Sequence, residues 1–201
     1  MAPKFSNRKD DNMYNIEKIN EYLKNNLSKY RYEHSIIVAE EAKLLAHHYN
    51  YSEAKAYIAG LVHDIAKEFT EEENKKWIKK YNLSSELLIP ELNKIVHADI
   101  GAVVVKELYN LDDDICNAVK YHTIGNVSMN TLAKIIFIAD KIGRKKITPE
   151  MEEEKNLAYK NLDLAIALHL KNTGRKLKNI GKELHPESQK LLNRINKNNK
   201  N

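Results

Sequence analysis

Apolar residues recur at helical spacing along almost the whole of this 201-residue chain, and no run alternates cleanly enough to argue for a strand. Ile16, Ile19, Leu23 and Leu27 mark a first helix over 14–28. Ile37, Ala42, Leu44 and Leu45 mark a second over 31–49. Ser52 is a good N-cap for a third, which carries "AGLVHDIAK" (59–67). Thr70 followed by three glutamates starts a fourth, with acids in the first turn. A fifth begins after Pro90 and runs to about Tyr109. A sixth begins near 112–114 and carries Cys116, Val119 and His122. A seventh covers 128–142 with Ser128 as its cap. A long basic helix follows Pro149 and reaches about Ile180, and a last one follows Pro186. Only six Gly and four Pro interrupt the pattern. The expectation is an all-α bundle, a single domain over 14–195 that is long enough to bury a sizeable core. The polar ends, 1–13 and 196–201, read as disordered tails.

Five of these helices carry a histidine, an acid or both inside an apolar face. They are His34 in "RYEHSIIVA", His63 and Asp64 in "GLVHDIAK", His97 in "IVHADIGA", His122 in "VKYHTIG" and Asp140 in "IFIADKI". Singly, each has an ordinary explanation as a hydrogen-bonded or ion-paired residue. Together they make four imidazoles and two carboxylates, a ligand set suited to iron, manganese or zinc. Separate helices of a bundle can aim such groups at one metal site. A buried charge needs a partner or a metal. Asp64 follows His63 directly, and a carboxylate can bridge two ions where a neutral imidazole cannot. The pair therefore points to a two-metal centre.

Composition excludes other classes. One cysteine, Cys116, rules out an internal disulfide and fits a reducing compartment. The start is polar with no apolar signal region, and the longest apolar runs are too short to span a bilayer. The expected location is the cytoplasm, with no membrane partner. The net charge of +5 comes from lysines spread along the chain. It reads as a solvated surface rather than a nucleic-acid face, since no basic cluster is interleaved with aromatics. No Walker loop, HExxH or CxxC is present.

The order His34, His63–Asp64, His97, His122, Asp140 resembles the HD-domain phosphohydrolases. More narrowly, "RYEHS", "AGLVHDIAK", "HADIGA", "YHTIG" and "IFIADKI" resemble the YqeK family of bacterial HD hydrolases, over roughly 14–195. The resemblance implies an HD-domain bundle that cuts diadenosine tetraphosphate symmetrically into two ADP. The cofactor it implies is a pair of metal ions, usually described as iron, with manganese or another transition metal as substitutes. By the same resemblance His34, His63, Asp64 and Asp140 hold the first ion. Asp64 bridges to the second, which His97 and His122 also hold. A metal-activated hydroxide would attack phosphorus, and ADP would leave.

Helix geometry adds supporting residues. Arg31 lies three before His34; Lys67 lies four after His63 and three after Asp64. Both are expected to reach phosphate oxygens, Arg31 with a fork and Lys67 as a point charge with a catalytic role. Thr123 and Gly125 follow His122 in a loop whose backbone can approach a phosphate. The chain departs from the family after Ile142, where Glu-Pro-x-Arg is usual. Here the residues are Gly143, Arg144, Lys145 and Lys146, with Lys146 in the place of the arginine as a substrate contact.

The other histidines read as surface residues (His47, His48), helix packing or a local hydrogen bond (His169) and a helix start (His185). Trp77 and Tyr81 read as one packing face, and Cys116 as a small core residue. Two further readings stand beside the tetraphosphate hydrolase. One is an HD phosphohydrolase on a mononucleotide, a dNTP or a guanosine alarmone. The other is a non-catalytic, metal-stabilised helical module that binds nucleic acid or the ribosome. The apolar helices also leave room for a homodimer.

Overall fold

A computed structural model describes residues 14–84, 87 and 95–199. The described residues form helices and connecting turns, with no strand among them. In chain order the helices are α1 (Ile16–Asn26), α2 (Lys29–His48), α3 (Glu53–Val62), α4 (Glu71–Lys80), α5 (Val96–Tyr109), α6 (Asp113–Tyr121), α7 (Thr131–Ile142), α8 (Pro149–Ala158), α9 (Leu162–Lys178) and α10 (Pro186–Asn198).

Side-chain caps explain most of the starts. Asn15, Ser28, Ser52, Thr148 and Asn161 each accept from a backbone N–H in the first turn of the following helix. Thr70 and Glu73 cap each other's backbone at the head of α4, as "TEEE" suggests. Four expectations change. The cap of α7 is Asn130, which accepts from Ala133 N at 2.9 Å; Ser128 instead turns onto the Asn126 side chain. The long basic helix after Pro149 is two helices, because Asn161 leaves the helical region and caps a new start. Leu44 is 55% exposed rather than core. The last helix continues through residues 196–198, which were expected to be a disordered tail. The expected start of α5 at Pro90 and the segment 1–13 lie outside the described residues.

The centre of the bundle is built by α2, α3, α6 and α7, each packed on at least two of the others. Helix α5 lies against α6, and α8 and α9 cover the outer side of α7, with α10 on α9. Leu45, Ile58, Leu61, Ile115, Ile135, Ile136 and Phe137 are essentially inaccessible there. Each contributes about 1.5–3 kcal/mol by leaving water. Gly60 permits the close approach of α3 to α2: a Cβ on it would stand 2.7 Å from Ala39 Cα. That approach brings the His34 and His63 rings to 5.3 Å, edge to face.

Candidate metal centre

His63 and Asp64 do not lie inside α3. The helix ends at Val62, and residues 63–68 continue as tight turns, with Ile65 N on Val62 O at 3.0 Å and Lys67 N on Asp64 O at 2.9 Å. His122 likewise follows the last residue of α6. His34, His97 and Asp140 are within α2, α5 and α7. All six side chains are buried, the most exposed being Asp140 at 7%. They converge in three overlapping groups, His34–His63–Asp64, His63–His122–Asp140 and Asp64–His97–His122. Within each group the ligand atoms lie within 4.8 Å of one another.

Asp64 is the hub. Its Oδ1 is 3.2 Å from His97 Nε2 and 3.5 Å from His122 Nε2. Its Oδ2 is 3.4 Å from His63 Nε2 and accepts from Arg31 Nη1 at 2.8 Å. Asp140 Oδ1 is 3.0 Å from His34 Nε2 and 3.6 Å from His63 Nε2. Backbone carbonyls orient two of the rings. His63 Nδ1 donates to Gly60 O at 2.7 Å, and His122 Nδ1 to Val119 O at 2.6 Å. Each bond assigns the N–H to Nδ1 and turns Nε2 into the centre, the arrangement a metal-binding histidine needs.

Two carboxylates set the electrostatics of the cluster. Burial by itself would lower the pKa of His63, but Asp64 and Asp140 outweigh it and raise it to about 10. Burial opposes ionisation of Asp64 as well, yet His63, His122 and His97 hold it well below the carboxylate range. Asp140 is held low by Lys141, His34 and His63 against the same opposition. Burial pushes His97 down to about 4 and lowers His34 and His122, so three of the rings favour the neutral form that ligates. His63 Nε2 is fully buried and makes no hydrogen bond. Two ionised carboxylates, neutral imidazoles and one orphaned ring nitrogen together suit a cation in place of a proton. The donor set fits a transition metal.

The supporting residues fall in different places. Arg31 is tied to Asp64, and its Nε is buried without a partner. Lys67 Nζ is 3.1 Å from His97 Nε2 and 3.9 Å from Asp64 Oδ1, with burial lowering its pKa against the pull of Asp64. Thr123 Oγ1 is 3.1 Å from His122 Nε2 and 3.4 Å from His97 Nε2. Gly125, at φ +72°, turns the chain close to Leu191 of α10, which stands 2.7 Å from where its Cβ would be. Ser188 of α10 donates to Ile124 O at 2.6 Å and fixes the same loop. Lys146 is exposed and lines a cavity that also contains His34.

Sequence reasoning did not assign roles to Lys141 and Arg144. Lys141 donates to Asp140 Oδ2 at 2.7 Å and Arg144 to Oδ1 at 3.3 Å. The signal was present, since Arg144 is four residues after Asp140. The remaining histidines stand as expected. His47 pairs with Glu53 at the surface, His169 bonds Glu154, and His185 accepts from Glu187 N at the start of α10. Trp77 and Tyr81 stack on each other with centroids 5.8 Å apart. Cys116 is half-buried at the edge of the core. No helix among the described residues is long and apolar enough to cross a membrane.

Comparison with known proteins gives a consistent set of likenesses. The HD domain family model matches residues 31–145. A symmetrical bis(5'-nucleosyl)-tetraphosphatase of Bacillus subtilis is 36% identical over 154 residues, 75% of this chain and 81% of that protein. A protein of the same name from Halalkalibacterium halodurans is 32% identical over 174 residues, covering 86% of this chain and 92% of its own. The crystal structure of an HD superfamily hydrolase described as involved in NAD metabolism, from Clostridium acetobutylicum, superposes with a TM-score of 0.84. It is 33% identical and covers 92% of this chain and 99% of its own.

Proposed function

The chain belongs to the HD-domain family, alongside its symmetrical bis(5'-nucleosyl)-tetraphosphatases, and from that premise we propose that it hydrolyses diadenosine tetraphosphate to two ADP. One water is consumed, and the central phosphoanhydride bond is broken. The observation that carries the reading is the division of the Asp64 carboxylate. Oδ1 faces His97 and His122, while Oδ2 faces His63 and Arg31. A carboxylate presented in this way can serve two ions at once.

In this reading His34, His63, Asp64 and Asp140 would hold one ion, and Asp64, His97 and His122 a second. Iron is our first choice and manganese the second. When bound, such a pair lowers the pKa of a water and offsets the charge that builds on the phosphoryl oxygens.

The chain's own groups do the rest. Arg31 holds Asp64 in the orientation that splits its oxygens. The Gly60 and Val119 carbonyls hold His63 and His122 in one tautomer. Lys67, on the His97 side, donates to a phosphate oxygen and supplies fixed positive charge. Thr123 Oγ1 offers a hydrogen bond beside His97 and His122, and Gly125 gives its loop the turn that permits this. Lys146 contacts phosphate further from the centre. ADP leaves readily, so no strong general acid is required. The single cysteine suits a reducing compartment for this activity.

Product analysis tests the proposal. The iron-loaded protein is incubated with diadenosine tetraphosphate under reducing conditions and the nucleotides are separated. ADP as sole product supports the reading. ATP plus AMP would keep the chemistry and break the symmetrical assignment, and no product would move the activity to another nucleotide.

A further inference from the structure

A cavity of about 370 Å³ lies between the N-terminal half of α2 and the α7–α8 connection. Its inner end is His34, whose Nε2 is 3.0 Å from Asp140, so it opens onto the metal centre. Its walls are apolar and aromatic: Tyr30, Ile37 and Met151. Its rim is basic. Arg144 reaches from Asp140 Oδ1 into the lining, and Lys146 is exposed there with no ion pair among the described residues. Lys145 is also on the rim, paired with Glu33.

This order of surfaces follows the order of groups in half a dinucleoside polyphosphate. The reacting phosphate belongs at the metal centre, the next one among cations, and the sugar and base on an apolar wall. Tyr30 is 65% exposed, a large aromatic face that no packing requirement holds open to solvent. The volume falls within the range of ligand pockets of about 300–1,000 Å³. On the other side of the centre, beyond Thr123, the corresponding cavity is only about 180 Å³ and is lined by Asp99 and Glu187 together with Lys120, which pairs with Asp99 at 3.8 Å. That volume falls below the range of ligand pockets, and the lining offers no excess of cations for a polyphosphate.

We infer that the cavity walled by Tyr30, Ile37 and Met151 is the binding site for one nucleoside of the substrate, with Arg144 and Lys146 on its phosphates, and that nucleoside recognition is one-sided. The inference rests on the function proposed above and deepens it. A chemically symmetrical substrate is gripped by one half. The other half is held by its phosphates and leaves first.

Steady-state kinetics of the metal-loaded full chain on diadenosine tetraphosphate test this, comparing wild type, Tyr30→Ala and Met151→Ala. Both residues lie outside the core cluster at the bundle centre, so the variants are expected to fold, and circular dichroism checks it. The expected result is a KM about tenfold higher in each variant, the scale of losing a base-stacking wall. kcat stays within about twofold. Competitive inhibition by inorganic tripolyphosphate, which has no base, is unchanged. Equal KM values in all three proteins would overturn the inference. So would a parallel loss of tripolyphosphate inhibition, because the variants would then be disturbing the phosphate site. If the wild type turns over no diadenosine tetraphosphate, the parent function fails instead. Equilibrium dialysis of ADP against the same three proteins still decides the cavity: weaker binding by the variants supports it, and equal binding overturns it.

Discussion

His63 donates its Nδ1 proton to the carbonyl of Gly60 at 2.7 Å, and this bond aims the other ring nitrogen at Asp64 and Asp140. Gly60 has a second part in the same geometry, since its missing side chain lets α3 close onto α2. Gly60→Ala must therefore push the two helices apart by tenths of an ångström or more. The expected cost is about 1–3 kcal/mol of stability, as for other overpacked cores. Metal content measured by atomic absorption should fall with it, because His34 and His63 separate. A variant with wild-type stability and full metal loading would show that the approach is not needed.

Asp64→Asn keeps the shape of the side chain and removes the charge that two sets of histidines share. Turnover is expected to drop by at least about 10³-fold, in the range seen when one member of a catalytic unit is removed. Stability should fall too, by about 3 kcal/mol, since Arg31 loses its partner in a mostly buried pair. Rates and thermal melts of the same preparation measure both effects. Near-normal turnover in a folded Asp64→Asn protein would remove Asp64 from the bridging role.

Chelation should act on stability as well as on rate. Ions that bind the native centre and not the unfolded chain stabilise by mass action, about 2.7 kcal/mol at a hundredfold excess over Kd. Removing them leaves Asp64 and Asp140 with His63 and the flanking cations Arg31, Lys67, Lys141 and Arg144 alone. The melting temperature of the chelated protein is expected to fall and to return on adding iron or manganese, together with activity. A midpoint indifferent to chelator would argue that the centre holds no metal in the native protein.

Away from the centre, Glu154 of α8 is buried and accepts from His169 Nδ1 at 3.1 Å and Asn172 Nδ2 at 3.2 Å. Burial opposes its ionisation, but His169 and Asn172 outweigh burial and lower its pKa. A depressed carboxylate pKa contributes stability above the unfolded value of about 4.3, and that contribution is lost as pH falls through the folded value. The wild type is therefore expected to lose melting temperature on acidification below about pH 4.3 more steeply than Glu154→Gln. Parallel melting curves against pH would contradict this assignment of Glu154.

The helical class was legible because it depends on local spacing, which also marked the six polar side chains as lying on apolar faces, while their convergence on one centre was read from the family resemblance. An apolar stripe at a period of 3.6 requires a helix, and a histidine or acid inside that stripe must be buried. What was not legible depended on where helices stop. His63 and Asp64 read as helical from their apolar neighbours, yet α3 ends one residue earlier and the pair projects from turns. The break at Tyr159–Asn161 was hidden because Asn161 caps α9 without a glycine or proline to announce it. Ser128 and Asn130 are both good caps, and only the loop decides between them; there Asn126 engages Ser128 and leaves Asn130 to cap α7. The contacts of Arg144 and the cavity beside His34 require two helices to be placed together, which no single segment encodes.

The central claim is that six side chains, three within α2, α5 and α7 and three just past the ends of α3 and α6, hold two ions. Anomalous scattering at the metal edge, from crystals of the iron- or manganese-loaded protein, tests it most directly. The account predicts two peaks per chain, one among His34, His63, Asp64 and Asp140 and one among Asp64, His97 and His122, with Asp64 common to both. A single peak, or a pair of peaks that leaves Asp64 on only one of them, would contradict it.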